Sequence, residues 1–82
     1  MDKFYIAALR IDRRSEKAPS VQEVLTKFGC IIKMRLGLHE AGNVCSDRGL
    51  IILELVPDKE EIDKLLETLN SIKGVTAKLL EI

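Results

Sequence analysis

Residues 30–38 read Cys30-Ile31-Ile32-Lys33-Met34-Arg35-Leu36-Gly37-Leu38. Successive residues of a strand point to opposite faces of the sheet. Strict alternation would put Ile32, Met34, Leu36 and Leu38 on one face, and Ile31, Lys33, Arg35 and Gly37 on the other. The segment is therefore expected to be a strand with one apolar and one mixed face. Immediately upstream the period changes. Val21, Val24, Leu25 and Phe28 recur at i, i+3, i+4 and i+7, which is one helical face. Ser20-Val21-Gln22-Glu23 has the form of a capping box, so a helix is expected to start at Ser20. Pro19 suits a position at or before that start, where no N–H is needed, and Gly29 suits its end.

Further out on the N-terminal side, Phe4-Tyr5-Ile6-Ala7-Ala8-Leu9-Arg10-Ile11 is short, apolar and partly β-branched or aromatic, which predicts a strand. On the C-terminal side, residues 39–48 are polar and contain Gly42, Asn43, Ser46 and Asp47, so a long hairpin loop is expected. Leu50 to Val56 is a third strand run, opened by Gly49 and stopped by Pro57. Asp58 and Glu61 form a second capping pair ahead of Ile62, Leu65, Leu66 and Leu69, again one helical face. Gly74 is expected to end that helix, and Val75 to Ile82 to form a last strand. No proline is expected inside an element.

The predicted order is strand, helix, strand, strand, helix, strand. Right-handed crossovers place both helices on one side of an antiparallel sheet. This defines an α+β, ferredoxin-like β-α-β-β-α-β sandwich, taken as a single domain over residues 1–82. The helix side should receive Tyr5, Ala7, Leu9, Ile11, Ile51, Leu53, Leu55, Val75, Ala77 and Leu79, with the even-numbered apolar residues of 32–38. The opposite side should then show Phe4, Ile6, Ile31, Leu50, Ile52, Leu80 and Ile82. A helix-free face this apolar implies an interface, because monomers rarely expose a contiguous apolar patch of more than a few hundred Å². A homo-oligomer, dimer or tetramer, is the expected form. Small domains also need added stabilisation, and a partner subunit supplies it.

Composition narrows the function. Lys and Arg total 13 and Asp and Glu total 13, so there is no basic excess for a nucleic-acid partner. Aromatic residues are scarce, which removes a base-stacking platform. Two cysteines are too few for a disulfide framework, and neither a signal peptide nor an 18-residue apolar span is read, so a reduced, cytoplasmic protein with no membrane partner is expected. No Ser-His-Asp set, nucleophile elbow or phosphate-binding glycine loop occurs, which disfavours an enzyme.

Two clusters could hold a ligand. Arg10, Arg13 and Arg14, with Lys17 nearby, lie where the first strand feeds the first helix. Guanidinium groups pair with carboxylate or phosphate, so a small anionic effector could dock there. His39 and Cys45 have metal-ligand character, and imidazole with thiolate suits nickel, zinc or copper. Two ligands do not complete a site. The metal reading, a transition-metal sensor, is therefore the alternative to an effector-binding or protein-binding module. Cys30 is read as a small structural hydrophobe.

The runs 4–11, Val21-Gln22-Glu23-Val24-Leu25, Ile31 to Leu38, Gly49-Leu50-Ile51-Ile52-Leu53 and Leu69-Asn70-Ser71-Ile72-Lys73-Gly74-Val75 together resemble the small iron-only hydrogenase system regulators. That resemblance implies an ACT-like fold, close to the C-terminal domain of nickel-responsive repressors. It also implies a homo-oligomer and a regulatory role beside hydrogenase maturation. Nickel-responsive repressors show His-x-His followed by five residues and Cys. His39 and Cys45 match the second His and the Cys, while Gly37 stands at the first His position. Amino-acid-binding ACT domains usually have a Gly in the turn after the first strand, where this chain has Asp12-Arg13-Arg14-Ser15. The resemblance includes no ribbon-helix-helix segment, so DNA binding by this domain alone is not expected.

Overall fold

The computed structural model describes residues 3–37 and 48–82, apart from the side chains of Arg14 and Ser15. In chain order the elements are β1 (Tyr5–Ile11), α1 (Arg14–Lys27), a 3-10 turn (Gly29–Ile31), β2 (Ile32–Gly37), β3 (Gly49–Leu55), α2 (Lys59–Asn70) and β4 (Val75–Glu81). The strands form one four-stranded sheet in the order β2-β3-β1-β4, and every neighbouring pair is antiparallel. This is the β-α-β-β-α-β sandwich expected from the periodicities.

One core fills the space between the helices and the sheet. It is built from Ala7, Leu9 and Ile11 of β1, Leu53 and Leu55 of β3, Val75 and Ala77 of β4, Val21 and Leu25 of α1, and Ile62, Leu65 and Leu69 of α2. All of these were expected on the helix side. A fully buried Leu or Ile contributes roughly 1.5–3 kcal/mol over its exposed state, so this row holds the two layers together.

The local signals were partly overruled. At α2, Asp58 is the N-cap and its carboxylate accepts from the Glu61 N–H at 3.3 Å, as the pattern implied. At α1 the expected cap is not used. The helix starts at Arg14, upstream of Ser20, so Ser20 and Glu23 are interior helical residues and Pro19 lies within the helix. Its N-cap is Arg13 at φ 54°, ψ 54°, with no side-chain cap. A left-handed Arg13 turns the chain sharply out of β1, and the carbonyl of Arg13 accepts from the N–H groups of Glu16 and Lys17 at 2.9 and 3.0 Å. The helix thus begins where the turn allows, rather than at the best local cap. α2 ends at Asn70, and Gly74 at φ 89° makes the turn into β4.

β2 departs most from expectation. Ile32 pairs with Leu55 and Met34 with Glu54. Two residues of β2 therefore span one step of β3, which is a β-bulge at Lys33. An extra residue reverses the facing of everything after it. Met34 and Leu36, expected in the core, lie on the helix-free face opposite Glu54 and Ile52. Arg35, expected on that face, instead sits opposite buried Leu53, and its guanidinium donates to the Gln22 side-chain oxygen of α1. Ile31, expected at the interface, precedes the bulge in the 3-10 turn and is buried in the core. Cys30, in the same turn, is exposed rather than packed.

Candidate functional site

Residues directly opposite in an antiparallel pair share a face. Registers of the four strands therefore map the helix-free surface row by row. Leu50, Arg10 and Thr76 form one row. Leu36, Ile52, Ala8 and Lys78 form the next, and Met34, Glu54, Ile6 and Leu80 the one after. Phe4 and Ile82 close the surface, joined by two backbone hydrogen bonds of 2.8 and 3.0 Å. The large apolar side chains here are unusually open: Phe4 60%, Met34 51%, Leu36 53%, Leu50 39%, Leu80 56% and Ile82 67%. Ile6 and Ile52 are half-buried among them. Periodicity had identified this patch through Phe4, Ile6, Leu50, Ile52, Leu80 and Ile82. The bulge adds Met34 and Leu36 and enlarges it.

Charge is unevenly placed on this surface. Glu54 is engaged by Lys33 at 3.4 Å. Arg10 and Lys78 lie together at the other end, around a depression of about 350 Å³ lined by Ala8, Arg10, Leu50, Thr76 and Lys78. Ala8 is the small residue among larger neighbours, and its short side chain leaves the hollow.

The three expected arginines fall on β1 and the start of α1. Arg10 projects from the helix-free face, where its Nε donates to Asp12 at 3.2 Å. Arg13 caps α1 and approaches Glu16 at 3.8 Å. Arg14 opens α1. The residue that joins Arg10 at a concavity is Lys78, from β4. Alternation along each strand puts both on the helix-free face, and the β1–β4 register makes them neighbours. His39 and Cys45 lie outside the described residues. Among the described residues no group of three His, Cys, Asp or Glu could hold a metal ion.

A second cluster ties the strand ends to α2. The Glu81 carboxylate meets Lys3 at 3.4 Å and Lys59 at 3.2 Å. The hydrogen bond from Lys59 lowers the Glu81 pKa, and the same bond raises that of Lys59. Both groups are exposed, so the cluster is a surface fastening, worth little for each pair.

Solved structures share this fold. The uncharacterized protein TM1266 from Thermotoga maritima superposes with a TM-score of 0.83 at 28% identity, over 99% of each chain. The ACT domain from GTP pyrophosphokinase of Chlorobium tepidum gives a TM-score of 0.73 at 16% identity, over 98% of this chain and all of that one. CPII, a nitrogen regulatory PII-like protein from Thiomonas intermedia K12, gives 0.69 at 11% identity, over 99% and 91%. No protein-family model and no curated protein matches the chain. The chain therefore has the ferredoxin-like fold of ACT and PII-like domains. No helix among the described residues is long and apolar enough to cross a membrane.

Proposed function

We propose that the protein is a small cytoplasmic regulatory module that works as a homo-oligomer and binds a small effector, not an enzyme. The observation behind this is the helix-free face, where six large apolar side chains are exposed in adjoining rows. Leaving such a surface in water is costly at roughly 25 cal/mol per Å² of apolar area, so covering it with a second copy is favourable. The shared architecture with an ACT domain and a nitrogen regulatory PII-like protein supports a regulatory reading. The sequence resemblance to iron-only hydrogenase system regulators makes that system the proposed target.

Size-exclusion chromatography with light scattering at micromolar concentration tests the assembly. Wild-type protein is expected to run as a dimer or larger. Leu36→Asp and Leu80→Asp, each on the face and outside the core, are expected to dissociate it to folded monomers. A wild-type protein that is strictly monomeric would sink the proposal.

A further inference from the structure

The cationic end of the helix-free face has a feature that apolar association does not explain. Arg10 and Lys78 are diagonal cross-strand neighbours, because Ala8 pairs with Lys78 and Arg10 with Thr76. Diagonal positions in a sheet are about 7–8 Å apart, so two like charges there repel. Asp12 partly offsets Arg10 through the 3.2 Å contact. No ion pair or side-chain hydrogen bond holds Lys78 among the described residues. Thr76 adds a hydroxyl beside both cations, and Ala8 and Leu50 supply an apolar floor and wall.

We infer that this hollow is a binding site for a small organic anion. The phosphate or carboxylate head would be held by Arg10, Lys78 and the Thr76 hydroxyl, and a short apolar body would lie on Ala8 and Leu50. An oxyanion between the two cations replaces repulsion with charge-assisted hydrogen bonds, which are the stronger kind. The site differs from the cluster expected at the start of α1. It uses Arg10 but takes its second cation from β4, and it needs neither Arg13 nor Arg14. Lys78 without a counter-charge would be costly to cover with a second copy. Anion binding is therefore expected to favour association through the same face.

Amide chemical-shift titration of the whole chain tests the site, with inorganic phosphate in one arm and butyrate in the other. Ionic strength is held constant with sodium chloride. The expected result is saturable shifts at Ala8, Thr76 and Lys78 in at least one arm. Arg10→Gln and Lys78→Gln should each weaken binding at least tenfold while keeping the wild-type circular dichroism spectrum. Saturation by phosphate alone assigns a phosphorylated ligand, and saturation by butyrate alone a carboxylate. Shifts that stay linear to 50 mM in both arms, or that persist unchanged in both variants, overturn the inference. Light scattering on the same samples separates this site from the assembly proposed above. Saturable binding by a monomer leaves the site standing and removes the assembly, and an oligomer without saturable binding does the reverse.

Discussion

Two residues near the β1–β4 end of the fold occupy left-handed backbone conformations with opposite consequences. Gly74 has φ 89°, and a Cβ there would lie 3.4 Å from the Asp12 carbonyl oxygen. That carbonyl belongs to the residue whose N–H donates to Gly74 O at 2.7 Å, so the turn has little room to relax. Gly74→Ala is expected to lower unfolding stability by about 1–2 kcal/mol, the ordinary cost of a left-handed non-glycine residue. Arg13 already bears that cost at φ 54°. Arg13→Gly should therefore raise stability by about 0.5–1 kcal/mol, since the exposed contact to Glu16 is worth little. Urea unfolding of both variants checks the pair, and the same sign for both would refute the backbone account.

At the level of elements, the outer edge of β4 is partly closed by α2. Phe4 exchanges two backbone hydrogen bonds with Ile82, and the Asp12 N–H donates to Gly74 O; alternation along the strand between these points then turns the Ala77 peptide groups away from β1. Asn70, the last residue of α2, fills that gap: its side-chain oxygen accepts from Ala77 N–H at 2.8 Å, and its amide donates to Ala77 O at 3.1 Å. Open strand edges invite pairing with other chains. Asn70→Ala is expected to cost about 1–3 kcal/mol and to speed hydrogen exchange at Ala77. Unaltered exchange there would count against this role. The Lys3–Glu81–Lys59 cluster fastens the other end of β4 to the start of α2. Because the folded-state pKa of Glu81 is depressed, its contribution is present above the unfolded carboxylate pKa and is lost as pH falls through the folded value. Lys59 has the opposite sign: its contribution is lost only as pH rises through its raised value. The melting temperature of wild-type protein should thus fall more on acidification through the carboxylate range than that of Glu81→Gln. Parallel curves would show that the cluster adds nothing.

The whole molecule has an asymmetric sandwich, with helices sealing one sheet face and nothing from the described chain sealing the other. If copies of the protein cover that second face, folding and association are linked by mass action. The wild-type melting temperature should then rise with protein concentration, while that of Leu80→Asp should be concentration-independent. A wild-type midpoint that is flat between 1 and 100 µM, on the order of a hundredfold range that linkage would register, argues for an independently stable monomer.

Element order and most of the core were determined by the sequence alone. The alternation in β1, β3 and β4 and the 3.6-residue spacing in α2 place Leu9, Leu53, Leu65 and Ala77 inward without reference to any distant residue. Such periodicity is a local property, so it can be read locally. Tertiary structure alone decided three things: the start of α1 at a left-handed Arg13, the bulge at Lys33, and the meeting of Arg10 with Lys78. Each depends on a pairing between segments far apart in the chain. An alternating run such as residues 30–38 cannot reveal a bulge, because Ile31, Ile32, Met34 and Leu36 fit either facing until β3 sets the register. Strand-to-strand registry, not local pattern, therefore decided what the open face displays.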